Sequence, residues 1–180
     1  MKKMLCVFCG SAEGKNPKYM QLARELGHKM GEREIGLVYG GASIGLMGQV
    51  ANSVLEKNAK VVGVIPQSLT KLEIVHKGLT ENHIVLGMHE RKKMMYDFSD
   101  AFVAIPGGMG TLDEMCEILT WAQLKYHQKP CFILNTHGFY DALLAHFKLI
   151  HDEGFLKKEH LDLVQVVSSV DELLDRVLLP

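Results

Sequence analysis

Short runs of consecutive apolar residues recur along the chain, separated by longer amphipathic stretches, and this alternation narrows the possible folds sharply. Runs at Met4–Cys9, Gly36–Tyr39, Lys60–Ile65, Ile84–Leu86, Ala101–Ile105, Cys131–Leu134 and Leu163–Val167 read as strands. Most are apolar throughout rather than alternating, the pattern of a parallel sheet covered on both faces. The stretches Pro17–Met30, Gly45–Lys57, His89–Ser99, Thr111–Lys125, Tyr140–Asp152 and Val170–Leu178 read as helices. Two starts are marked: Asn16-Pro17 sets a capping residue before proline, and Ser169-x-x-Glu172 is a capping box. Residues 66–82 lack clear periodicity and are expected to form a loop with a short helix near the carboxyl edge of the sheet. The expectation is a doubly wound α/β fold, a mainly parallel sheet of about seven strands with right-handed crossovers and helices on both faces. Without a linker, repeat or low-complexity tract, residues 1–180 read as one domain. That length is enough for a self-sufficient core.

Charge excludes several partners. Lys and Arg number 20 against 21 Asp and Glu, for a net charge of -1. A nucleic-acid binder normally carries a basic stripe, so no nucleic acid is expected, and no polybasic case exists for a membrane surface. No apolar run approaches the ~20 residues of a membrane span. The N-terminal run ends at Cys9-Gly10-Ser11, too soon for a signal peptide. Four cysteines in a chain with a full-sized core do not make a disulfide framework, and a cytoplasmic location is expected. On a strand, Cys6 and Cys9 point to opposite faces, which suits two small core residues better than a redox or metal pair. The nine histidines show no metal-ligand spacing, so no metal or cofactor is expected.

Glycine is the skewed residue, 17 of 180. Three clusters fall at strand ends: Gly10 to Gly14, Gly40 to Gly48, and Pro106-Gly107-Gly108-Met109-Gly110-Thr111-Leu112-Asp113-Glu114. In an open α/β sheet, ligands bind outside the carboxyl ends of the strands. Each cluster feeds a helix start, whose N–H groups and dipole suit a phosphate. The spacing matches neither the dinucleotide fingerprint nor a Walker A loop, since Gly45 is followed by Leu46-Met47. A pocket of nucleotide size remains. Thr111-x-x-Glu114 reads as a capping box, yet Asp113 and Glu114 put negative charge where a pure anion site would not. A site holding phosphate at one end and reacting at the sugar would use such a carboxylate. Glu114 could then act as general base or stabilise a sugar cation. Arg91, Lys92 and Lys93 open the helix before the fifth strand. They form either a solvated charged face or a cationic edge of the same crevice.

The segment Pro106–Glu114 resembles the PGGxGTxxE signature of the Lonely Guy family, phosphoribohydrolases that activate cytokinins and are often mislabelled as lysine decarboxylases. Phe8-Cys9-Gly10-Ser11, Val38-Tyr39-Gly40-Gly41 with Gly45-Leu46-Met47-Gly48, Met88-His89-Glu90-Arg91-Lys92 and Leu119–Leu124 agree in order and spacing, so the resemblance covers nearly the whole chain. It implies a Rossmann-like fold, a homodimer, and hydrolysis of a nucleoside 5'-monophosphate to free base and ribose 5-phosphate. By the same resemblance Arg91 and Glu114 match the catalytic pair. Lys92, the loop Gly107, Gly108, Met109, Gly110, Thr111, Leu112 and Asp113, and Thr120 match substrate-binding positions. Glu73 matches a further binding carboxylate, and Gly10, Ser11, Gly41 and Met88 lie in the matching stretches. Ala42 stands where many members have glycine, and Met109 replaces a common tyrosine. Two rivals fit less well. A non-catalytic nucleotide carrier would need the glycine turns but not Arg91 and Glu114 together, and no lysine sits in a setting suited to pyridoxal phosphate.

Overall fold

The computed structural model of the chain describes residues 2–70 and 75–179. Strands β1 (Met4–Phe8), β2 (Gly36–Tyr39), β3 (Val61–Pro66), β4 (Glu81–Val85), β5 (Ala101–Ala104), β6 (Cys131–Leu134) and β7 (Val164–Val167) form one sheet in the order β4-β3-β2-β1-β5-β6-β7. Every neighbouring pair is parallel. The helices are α1 (Lys18–Glu32), α2 (Gly45–Leu55), α3 (Met88–Asp97), α4 (Met109–Gln123), α5 (Asp141–Asp152), α6 (Lys158–Leu161) and α7 (Val170–Leu178).

Side-chain alternation on the strands divides the core in two. Leu5, Val7, Leu37 and Val103 face α1, α2 and α7, while Cys6, Val38, Phe102 and Ile133 face α3, α4 and the start of α5. Each central strand is buried on both sides, which is why its sequence is apolar without a break. Cys6 and Cys9 fall in opposite cores, and both are free thiols whose burial raises their pKa.

Two elements depart from expectation. β4 runs over Glu81–Val85 rather than Ile84–Leu86, taking Glu81 and Asn82 from the span expected to be a loop. Among the described residues it is an edge strand paired with β3 alone, and Glu81 to Ile84 alternate between half-buried and exposed before the buried Val85. A search for unbroken apolar runs catches only the Ile84-Val85 end of such a strand. Helix α6 has four residues and buries none of them, so it leaves no apolar stripe in the sequence. Among residues 67–70 the chain forms turns, not a helix.

The marked helix starts lie within a residue of their expected places, α1 beginning at Lys18 just after Pro17. Asn16 Oδ1 accepts the Lys18 N–H at 3.1 Å. Ser169 Oγ accepts the Glu172 N–H at 3.2 Å, while the Glu172 carboxylate reaches back to the N–H and hydroxyl of Ser168, one residue before the usual partner. Helix α7 then buries Val170, Leu173, Leu174 and Val177, and Lys29 of α1 and Arg33 just after it pair with Asp171 and Asp175 along its rim. Among the described residues no helix is long and apolar enough to cross a membrane.

Removing the cap isolates its contribution. Ser169→Ala is expected to lower the unfolding free energy by about 1 kcal/mol. Thermal unfolding should show this as a fall of about 2–4 °C in Tm. An unchanged Tm would mean that packing alone sets the start of α7.

Candidate active site

The chain order reverses between β1 and β5: β2, β3 and β4 extend to one side and β6 and β7 to the other. Such a switch point leaves a crevice at the carboxyl ends, because the two following loops diverge. Here those loops are Cys9–Ser11 and Pro106–Gly108, joined by the Gly10 N–H donating to the Pro106 carbonyl at 3.1 Å. Close approach is possible because Gly107 lacks a side chain. A Cβ there would run into the Thr111 hydroxyl and come within 2.8 Å of the Gly10 nitrogen.

Helix α4 begins two residues earlier than the sequence suggested. Gly108 is its N-cap and no side chain caps it. Thr111 and Glu114 therefore lie inside the helix, and the expected capping box is absent. The first helical hydrogen bond runs from the Leu112 N–H to the Gly108 carbonyl at 3.2 Å. The amides of Met109, Gly110 and Thr111 precede that bond and have no intrahelical acceptor. A Cβ added at Gly108 or Gly110 would meet nothing within 4 Å, so the loop opens onto free space.

That space is a cavity of about 310 Å³. Gly108 to Thr111 line one side with Gly10 and Ser11, and Cys9 lies against it from β1. Met47, Leu69 and Met88 complete the wall, and Arg91 and Glu114 enter it from α3 and α4. Both charged residues are almost fully buried, with side chains 6% and 7% exposed. Arg91 Nη2 stands 3.6 Å from Glu114 Oε1, an ion pair longer than a hydrogen bond. The Arg91 Nε–H donates to the Val64 carbonyl at 3.1 Å, which fixes the guanidinium against β3. Nη1 lies 3.9 Å from the Met88 sulfur. Gly40 completes the seat, since a Cβ at that position would overlap Arg91 Nη2. Of the two readings open for Arg91, the crevice is the observed one.

Lys92 turns away from the cavity. Its ammonium pairs with Glu117 at 3.0 Å and Asp113 at 3.3 Å on the flank of α4. Burial lowers its pKa, but the hydrogen bonds to Glu117 and Asp113 outweigh this and hold it above the usual lysine range. Thr120 is exposed and returns its hydroxyl to the Cys116 carbonyl at 2.7 Å; Leu112 is half-buried on the same helix. Gly41 lies behind the cavity with φ +82, its carbonyl accepting the His76 N–H at 3.0 Å beside the Ala42–Val75 bridge. Glu73 lies outside the described residues. Sequence reasoning placed Met47 in a glycine-rich stretch and Val64 in a strand but assigned neither to the site, and it did not single out Leu69. Strand order brings all three to the site.

The seating of Arg91 makes a paired prediction. Gly40→Ala should cost about 1–3 kcal/mol of stability in urea unfolding, since either the arginine or the backbone must move. Gly108→Ala should stay within about 0.5 kcal/mol. Equal costs would mean that Arg91 is not packed against Gly40.

A family model described as possible lysine decarboxylase matches residues 47–177. The cytokinin riboside 5'-monophosphate phosphoribohydrolase LOG of Oryza sativa subsp. japonica is 46% identical over 171 residues, covering 95% of this chain and 71% of the relative. The cytokinin riboside 5'-monophosphate phosphoribohydrolase of Rhodococcoides fascians is 47% identical over 155 residues, covering 86% and 78%. Among solved structures, a molybdenum cofactor binding protein from Rippkaea orientalis superposes with TM-score 0.72 at 20% identity, covering 98% of this chain and 96% of that one. The molybdenum cofactor carrier protein from Chlamydomonas reinhardtii gives 0.72 at 19%, covering 99% and 98%. At such identity these two show a shared Rossmann-like fold and nothing further. With a family model spanning most of the chain and relatives near half identity across it, this chain belongs to the Lonely Guy family of phosphoribohydrolases.

Proposed function

We propose that the chain hydrolyses the N-glycosidic bond of adenosine 5'-monophosphate or an N6-substituted relative, releasing the base and ribose 5-phosphate. The observation that carries this reading is the buried Arg91–Glu114 pair entering a cavity that the uncapped start of α4 also lines. The named activity of the relatives agrees with it.

The 5'-phosphate is placed on the amides of Met109, Gly110 and Thr111, with Gly10, Ser11, Gly107 and Gly108 shaping the loop around it. Anchoring the phosphate sets the sugar over Glu114 and makes the reaction effectively intramolecular. As the C1'–N bond breaks, its electron pair leaves with the base and positive charge grows on the sugar. A carboxylate beside C1' stabilises that charge. Glu114 also takes a proton from the water whose oxygen bonds to C1', and the departing base is protonated in turn. Arg91 offers a planar fork to the ribose and the leaving base while holding Glu114 in place. Assigning Lys92, Leu112, Asp113, Thr120, Gly41 and Glu73 to substrate binding rests on the family resemblance.

The reading extends to a cytoplasmic homodimer that needs neither nucleic acid nor membrane. Apolar side chains left partly buried on α4 and α5, among them Leu119, Trp121, Leu144 and Phe147, offer a face for a second copy. The rival on the same fold is a carrier that binds nucleotide without cleaving it. A carrier has no use for a buried carboxylate beside the sugar.

Glu114→Gln separates the two. The variant should bind AMP within a few-fold of the parent, measured by calorimetry, while adenine release falls by at least about a hundredfold. Undiminished release would remove Glu114 from the chemistry. AMP bound by the parent protein with no adenine released would favour the carrier.

A further inference from the structure

The turn that carries the glycine loop breaks a strand ladder. The Ile105 N–H donates to the Phe8 carbonyl at 3.0 Å, and an unbroken parallel ladder would continue with the Gly10 N–H on the Ile105 carbonyl. Instead the Gly10 N–H goes to Pro106, one residue further on, and the chain turns there into Gly107 and Gly108. The Ile105 carbonyl thereby loses its strand partner, and a buried carbonyl without a donor is costly. The Tyr140 hydroxyl takes the place, donating to that carbonyl at 2.8 Å. Tyr140 is buried, and burial raises its phenol pKa, so the group remains a donor through the neutral range.

Tyr140 arrives from the loop between β6 and α5, which its own bonds hold together. Asn135 Oδ1 accepts the Tyr140 N–H at 2.9 Å, and Asn135 Nδ2 donates to Asp141 Oδ1 at 2.7 Å. The Phe139 ring meets the Tyr140 ring edge-on with centroids 4.9 Å apart, and meets Tyr19 of α1 the same way at 5.6 Å. The Tyr19 ring in turn lies against Gly14, where a Cβ would stand 2.9 Å from it. A continuous path of contacts thus joins the turn after β5 to the loop after β1 by way of the loop after β6. The first two supply Gly108 to Thr111 and Gly10 and Ser11 to the cavity, whereas no described residue of 135–141 lines it.

We propose, resting on the nucleotide reading given above, that Tyr140 is a positioning residue for the phosphate end of the cavity. Its hydroxyl fixes the Ile105–Pro106 turn and with it the free amides at the start of α4, and Phe139 steadies the loop that carries Ser11. The ion pair has separate supports in Val64 and Gly40. A phosphate held equally in the ground state and the transition state contributes to binding alone, so loosening its seat acts on KM and spares kcat.

Tyr140→Phe keeps the ring and removes the hydroxyl. KM for AMP and the inhibition constant of ribose 5-phosphate should each rise about threefold to tenfold, the range of one hydrogen bond, with kcat within about twofold of the parent. A merely structural role would reduce the amount of active protein, read as a fall in kcat, and leave both constants in place. Ser99→Ala is the matched control. It removes another buried hydroxyl, which donates to the Met95 carbonyl at 2.6 Å before the amino end of β5, and neither constant should move. Phe139→Leu, at an exposed ring, should raise the same constants by about twofold or more. Constants unmoved in Tyr140→Phe overturn the positioning role while the hydrolase reading stands. Should Tyr140→Phe fail to fold, constants unmoved in Phe139→Leu overturn it equally. No release of adenine from AMP by the parent protein overturns both.

Discussion

The pairing of Arg91 with Glu114 in a nearly water-free position demands more of the surrounding structure than any other contact. Two charges removed from water are costly unless each is held by further partners. The fold supplies these from separate elements. β3 gives the Val64 carbonyl to the Arg91 Nε–H, Gly40 just after β2 clears room for the guanidinium, and α4 presents Glu114 on its inner face. None of these elements could shift by a residue without breaking the pair. Parallel neighbours with both faces covered fix the register of every strand involved.

The uncapped start of α4 and the ion pair depend on each other. Because the helix starts at Met109 and not at Thr111, its first amides point into open space and Glu114 lies more than a turn further in. A cap at Thr111 would have consumed both the amides and the carboxylate. The near-neutral charge of the chain fits this economy. Anion binding drawn from backbone N–H groups needs no lysine or arginine excess, so a net charge of -1 is compatible with a phosphate site.

How much was legible in the sequence follows from what each residue senses locally. Central strands such as Ala101–Ala104 announce themselves because both faces are buried, whereas β4 mixes Glu81, Asn82 and His83 into an edge strand and conceals itself. The capping box at Ser169 was readable, since every partner lies within four residues. The one at Thr111 was misread for the same local reason: the spacing is right, but Gly107 and Gly10 pull the chain into helix earlier. Arg91 could not be assigned by spacing, because its environment comes from Val64 and Gly40, 27 and 51 positions away in the chain. Leu69 carries no signal until strand order sets it in the same cavity wall as Met47 and Met88.

The central claim is that this pair directs water to C1' of a nucleoside 5'-monophosphate. Incubation with AMP in 18O-labelled water, followed by mass spectrometry of the products, tests it most directly. One labelled oxygen should appear in ribose 5-phosphate, with unlabelled adenine as the other product and none of the label in inorganic phosphate. Label in phosphate, or AMP recovered intact after prolonged incubation, would contradict the account.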